Sequence, residues 1–152
     1  MKVYKKETVQ SVNATLDECW MFFSNPKNLQ KITPESMGFK ITDFDGNSMY
    51  AGQIIQYKVT PLLGLKLSWT TEITQVKDKS YFIDEQRFGP YSFWHHKHFF
   101  EDVDGQVKMT DVVHYALPLR FLGRIMNSLI VENKLKEIFD HRRVIVEKLF
   151  NS

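Results

Sequence analysis

Between residues 93 and 115 large apolar side chains alternate with polar ones, and one Asp-Gly step interrupts the run: FWHHKHFFEDVDGQVKMTDVVHY. A period of two marks β-strands, and Asp-Gly favours a two-residue type I′ turn. With Asp104-Gly105 as that turn, the register follows. Val103 faces Gln106, Phe100 faces Met109, His98 faces Asp111, His96 faces Val113 and Trp94 faces Tyr115. One side of the hairpin then carries Trp94, His96, His98, Phe100, Met109, Asp111, Val113 and Tyr115. It is the more apolar side, yet it holds two imidazoles and a carboxylate. Buried polar groups need partners, so these three are expected either to pair with one another or to line a cavity.

The same reading extends along the chain. Residues 2–12 alternate without Gly or Pro and form a strand. Thr15, with Glu18 three positions on, is a capping-box signature opening a helix whose apolar side holds Leu16, Cys19, Trp20 and Phe23. Asn25-Pro26 caps and opens a second short helix over 26–32, and Thr33-Pro34 stops it. Short strands follow at 37–43 and 50–60. Residues 65–76 alternate well, with Leu65, Leu67, Trp69, Thr71 and Ile73 inward. Residues 80–88 form another strand, with Phe82, Asp84, Gln86 and Phe88 on one side and Tyr81, Ile83, Glu85 and Arg87 on the other; the pattern does not choose between them. After Pro118, a helix is expected from about Leu122 to Leu149. Its second half has a stripe of Val131, Leu135, Ile138, Arg142, Ile145 and Leu149, its first half a rotated stripe of Leu122, Ile125 and Leu129. The class is α+β: sequential antiparallel strands whose apolar face only the long C-terminal helix can cover.

Composition narrows the function classes. With 152 residues, 43% hydrophobic and 25% charged, the chain fits one globular domain over residues 1–152. Twelve Phe, six Tyr and three Trp suit a wide core or a lined pocket. A net charge of +2 is too small to argue for nucleic acid. No apolar run reaches the length of a membrane span. The single cysteine, Cys19, rules out an internal disulfide, and with no visible secretory signal a cytoplasmic location is expected. Oligomeric state is left open.

Trp69, Phe82, Phe88, Trp94, Phe100, Met109 and Tyr115 are candidate walls of a cavity beneath the helix, and apolar walls with a few polar groups suit a small molecule. His96, His98 and Asp111 are the candidate polar groups. Opposed across the hairpin, His98 and Asp111 are expected to pair, which either fastens two strands or anchors a ligand. His95 and His114 oppose each other on the outer side and are expected to be solvated. Arg142, on the helix stripe, either extends to water or reaches a ligand carboxylate. Cys19 reads as a small buried hydrophobe. Alternate strand positions can share a metal, but no HExxH-type motif occurs and no metal is assigned. Without a Gly-rich phosphate loop, no nucleotide or other cofactor is assigned, and no catalytic residue stands out.

Four segments carry a resemblance: Phe23-Ser24-Asn25-Pro26-Lys27-Asn28-Leu29, Ile32-Thr33-Pro34, Trp94-His95-His96-Lys97-His98-Phe99-Phe100, and Thr110-Asp111-Val112-Val113-His114-Tyr115-Ala116-Leu117-Pro118. With the element order, they make the chain resemble the START-like superfamily, also called Bet v 1-like or SRPBCC. Within it, the chain is similar to bacterial proteins described as polyketide cyclase/dehydrase-like. The resemblance implies a helix-grip fold: a curved seven-stranded antiparallel sheet around a long C-terminal helix, with two short helices after the first strand. It also implies a cavity between sheet and helix, and no particular reaction. Three functions compete. A binding protein for a small hydrophobic molecule (lipid, isoprenoid or polyketide-like) needs an apolar cavity with internal polar anchors. A polyketide cyclase/dehydratase-like enzyme needs a cavity His or Asp poised on its substrate. A protein-interaction module needs a filled core and an exposed apolar patch.

Overall fold

At the 104–105 turn both residues take positive φ, 54° at Asp104 and 80° at Gly105, as a type I′ turn requires. In the computed structural model, which describes residues 1–60, 64–118, 125 and 130–151, this turn joins strands Phe93–Val103 and Gln106–Ala116. Their pairing is the expected one throughout, from Val103 with Gln106 through His98 with Asp111 to Trp94 with Tyr115.

In chain order the strands are β1 (Tyr4–Val12), β2 (Lys40–Asp43), β3 (Ile54–Val59), β4 (Leu67–Lys77), β5 (Tyr81–Phe88), β6 (Phe93–Val103) and β7 (Gln106–Ala116). They form one sheet in the order β1-β7-β6-β5-β4-β3-β2, antiparallel at every pairing. Strands 2 to 7 are therefore a meander, and β1 completes the sheet beside β7, with Thr8 next to Asp111. The 3–10 turns and helix between β1 and β2 follow their caps. Helix α1 (Leu16–Phe23) opens with a capping box: the Thr15 hydroxyl accepts from Glu18 N at 3.2 Å, and Glu18 Oε2 accepts from Thr15 N at 2.8 Å. The second short helix, Pro26–Ile32, is 3–10 in form, with Asn25 Oδ1 accepting from Lys27 N; a single further turn spans Glu35–Met37.

The described part of the C-terminal helix is α2 (Glu132–Phe150). It buries Leu135, Phe139 and Val146. The expected stripe faces inward at Val131, Leu135, Ile138, Arg142 and Ile145, is widened by Phe139 and Val146, and ends before Leu149, which is 47% exposed. Leu122 and Leu129 lie outside the described residues, and Ile125 is exposed. Helix α2 is fastened to the sheet edge where Gln10 Nε2 donates to the Arg143 carbonyl at 2.9 Å and Arg143 Nη2 donates to the Val9 carbonyl at 2.8 Å.

Two irregularities between β4 and β5 change which side chains point inward. The register slips between Ile73 and Gln75 and again between Thr70 and Thr71, where Thr71 pairs with Gln86 but Thr70 with Phe88. Arg87 is the extra residue of the second bulge. Beyond it Phe88 shares the outer face of Thr70 and is 74% exposed, so Phe88 is not a cavity wall. A bulge of this kind bends its strand and shifts the alternation by one.

Candidate functional site

The apolar interior packs in three groups and not one. Cys19, Phe23, Phe82, Phe100, Met109 and Val146 cluster at the α1 end. Val113, Tyr115, Val131, Leu135 and Phe139 cluster under the start of α2. Phe39, Val59 and Trp69 cluster on β3 and β4. Between them lies a cavity of about 430 Å³. Its walls include Ile55, Tyr57, Leu67, Trp69, Ile73, Phe82 and Trp94 from the sheet, Leu135, Ile138 and Phe139 from α2, and Phe23, Leu29 and Ile32 from the short helices. One wall is an aromatic chain: Tyr57 stacks on Trp69, Trp69 meets Trp94 edge-on at 5.3 Å, and Trp94 packs on Tyr91 at 4.8 Å. Gln86 holds Tyr91 there, its Nε2 donating to the Tyr91 carbonyl and its Oε1 accepting from Tyr91 N.

Asn28, Thr33, Thr71 and Lys134 add single polar groups to this surface, and at one place it carries a cluster of titratable ones. Asp84, His96 and His98 all reach the cavity. Phe82 and Asp84 of β5 stand beside His98 and His96 of β6. Asp84 Oδ2 lies 2.8 Å from His98 Nε2, hydrogen-bonded to it, and 3.4 Å from His96 Nδ1. Asp84 Oδ1 accepts from Trp94 Nε1 at 3.3 Å. The imidazole centroids lie 3.7 Å apart, with the ring planes tilted by 38°. Behind them, away from the cavity, sits Asp111. Its Oδ1 is 3.0 Å from His96 Nε2, 2.8 Å from His98 Nδ1 and 3.3 Å from Arg142 Nη1. The His98 contact is close but off the N–H axis, so it acts through charge and is not an aligned hydrogen bond. Arg142, whose side chain is 11% exposed, also covers the Phe23 ring.

The electrostatics follow from burial and from this layout. Burial raises the cost of a charged Asp111, but Arg142 and the two imidazoles outweigh it and hold the carboxyl well below its ordinary range. Burial works against a charged Asp84 as well, and His96 and His98 still bring its pKa below the usual value. The histidines differ. Burial and the neighbouring His98 push His96 down, more than the two carboxylates restore. Burial also pulls on His98, but the Asp111 and Asp84 carboxylates on either side of it reverse the sign and move it up. Two adjacent imidazoles cannot both charge cheaply, so the shifts run in opposite directions: up for His98, 2.8 Å from both carboxylates, and down for His96, 3.4 Å and 3.0 Å from them.

The sequence matches no family model and no curated protein. Solved structures match closely in shape. A Thermus thermophilus protein has a TM-score of 0.73 at 12% identity, over 95% of each chain. The major latex-like protein of Panax ginseng reaches 0.67 at 10% identity, over 97% of each chain. A point mutant of Thalictrum flavum norcoclaurine synthase, in complex with a transition-state analogue, reaches 0.67 at 16% identity, over 97% of this chain and 96% of that one. The fold is the helix grip. The likeness to START-like, Bet v 1-like proteins therefore holds at the level of fold, where identities this low leave it.

Within the helix grip the expected site residues separate. Trp69, Phe82, Trp94, His96, His98 and Arg142 line the cavity. Phe100 and Met109 are instead sealed in the α1-end cluster, and Tyr115 in the cluster under α2, because the helices cover those parts of the hairpin. Asp111 is behind the imidazoles. Arg142 does not extend to water: it turns inward to Asp111 from the cavity wall. On the outer face His95 does not stand free, since its Nδ1 is 2.7 Å from Glu85 Oε1. Asp84 is the group that sequence reading left undecided, and Tyr57, Ile55, Leu67 and Phe139 are walls it did not single out. Asp84's only signal was its place on the strand face of Phe82.

Proposed function

We propose that the chain binds one small hydrophobic molecule between sheet and α2, with its polar end against Asp84, His96 and His98. The observation that carries this reading is the cavity itself: about 430 Å³, walled mainly by aromatic and aliphatic side chains, with one cluster of titratable groups that are already partnered. Small-molecule sites share this composition. A second feature narrows the occupant. The indole N–H of Trp69, on the cavity wall, has no hydrogen-bond partner among the described residues. A buried unpaired donor costs ~1–3 kcal/mol, so an occupant with a carbonyl or hydroxyl oxygen is favoured over a pure hydrocarbon. A lipid, isoprenoid or polyketide-like compound has that chemistry.

The open interior weighs against a contact module, which needs a filled core. A cyclase/dehydratase-like activity draws on the same polar patch and remains the second reading, favoured by the Asp84–His98 pair on the cavity wall. Binding is tested first with 1-anilinonaphthalene-8-sulfonate, a dye that brightens in apolar surroundings. Saturable binding near one dye per chain, lost in Ile138→Trp where the larger ring occupies the cavity, supports the reading. Dye binding that is absent, or unchanged in that variant, overturns it.

A further inference from the structure

We propose that Asp84, His96 and His98 form a site for one divalent transition-metal ion, open to the cavity. One donor atom from each of these residues lies within 4.8 Å of the others. Asp84 Oδ2 is 2.8 Å from His98 Nε2 and 3.4 Å from His96 Nδ1. Nitrogen and oxygen ligands about 2.0–2.2 Å from a shared ion stand roughly 3–3.5 Å from each other, so the carboxylate already has the spacing of a co-ligand to His96, and it is slightly closer to His98, where an ion would replace the hydrogen bond.

The reverse side of the rings makes the stronger argument. Each imidazole turns one nitrogen to Asp84 and the other to Asp111, at 3.0 Å for His96 and 2.8 Å for His98. Metal-bound histidines are oriented by a hydrogen bond from the second nitrogen to a carboxylate, as His96 Nε2 is by Asp111, while His98 Nδ1 has the same carboxylate beside it but off the N–H axis. Here one carboxylate serves both rings and is itself fixed by Arg142 at 3.3 Å. A strand-to-strand hydrogen bond needs only one imidazole and one carboxylate; it gives no reason for two adjacent rings between two carboxylates.

Two imidazoles and one carboxylate suit zinc or ferrous iron and not calcium or magnesium, which take oxygen donors. Because Asp84, His96 and His98 face the cavity while Asp111 lies behind them, the ion's remaining positions point to the space a ligand would fill. The ion would meet the polar end of any occupant. The metal site itself does not depend on that occupant, and its test uses no hydrophobic compound.

The full chain, stripped with a chelator, is titrated with cobalt(II), then with zinc(II). One equivalent of cobalt is expected to give visible d–d bands that zinc abolishes, and zinc is expected to raise the melting temperature until chelator is added. Asp84→Asn and His98→Gln are expected to lose the bands. Asp111→Asn, acting through the rings as a positioning residue, is expected to weaken binding by about 10- to 100-fold. His95, with Glu85 at 2.7 Å and His114 across the strand pair, is the competing surface donor set, so His95→Gln with His114→Gln is expected to keep the bands. A measurement without substitutions guards against misfolded variants: zinc should shift the ring resonances of His96 and His98 and leave those of His95 and His114. Absence of bands and of a zinc-dependent melting shift overturns the proposal. So do bands lost only in the surface double variant, or shifts confined to His95 and His114.

Discussion

Taking the carboxylate from Asp111 strands the Arg142 guanidinium in the interior and removes the group that both imidazoles lean on. Breaking a buried ion pair at one partner typically costs ~3–5 kcal/mol, and Asp111→Ala is expected to fall in that range by urea unfolding. Removing both charges with volume kept, Asp111→Leu with Arg142→Met, should recover most of the loss, because the pair's net worth against apolar packing is small. A single-variant cost below about 1 kcal/mol would mean that the pair behaves as a solvated one. Cys19 makes a contrasting case. Its thiol is fully buried, and burial, with some help from Glu18, pushes its pKa up to about 11. At pH 8 only ~0.1% is thiolate, so a disulfide reagent such as Ellman's should react slowly with native protein and at once after unfolding. Fast native reaction would contradict the packing of Cys19 against the α1 cluster.

Among the elements, the loop from β2 to β3 depends on Asp45. Its carboxylate accepts from the Tyr50 hydroxyl at 2.6 Å, Gln53 Nε2 at 2.9 Å and Asn47 N at 3.1 Å. These bonds, that of Tyr50 foremost, lower the Asp45 pKa to about 2. A depressed carboxylate pKa contributes stability above the unfolded value near 3.9 and loses it as pH falls through the folded value. The stability difference between wild type and Asp45→Ala should therefore be constant from pH 7 to about 5 and shrink between about pH 4 and 2; a difference that grows on acidification would refute the assignment. Elements also decide what could be read in advance. Asp104-Gly105 set one register for β6 and β7, so the pairing of His98 with Asp111 was legible from a dipeptide. Thr15 and Glu18 likewise announced α1. In β5 both faces mix apolar and charged residues, and the bulge at Arg87 is a property of pairing with β4, not of either strand alone. Phe88 was therefore assigned inward and Asp84 left undecided. In α2 the helical period allowed several neighbouring stripes, and only contact with the sheet selects Phe139 and Val146 over Leu149.

The molecule as a whole encloses more volume than its side chains fill, and no described helix is long and apolar enough to cross a membrane. Four charged or titrating groups in one buried patch, Asp84, His96, His98 and Asp111 with Arg142 beside them, are an expensive way to join strands that main-chain bonds already join. That expense is intelligible if the patch serves the cavity. The consequence is thermodynamic. A ligand that binds only the folded chain adds stability by mass action, ~2.7 kcal/mol at a hundred times its Kd. For a domain of this size each kcal/mol moves the melting temperature by ~2–4 °C, so a saturating occupant should raise it by about 5–11 °C. Ile138→Trp separates this from nonspecific stabilisation. Filling the cavity from α2 supplies contacts that the wild type lacks, which should keep the melting temperature of the free variant at or above that of the wild type while removing its response to ligand. Differential scanning calorimetry of both proteins, with and without 1-anilinonaphthalene-8-sulfonate, reads the two effects together. A variant that melts lower and still responds to the dye would place the bound molecule outside the space between sheet and helix.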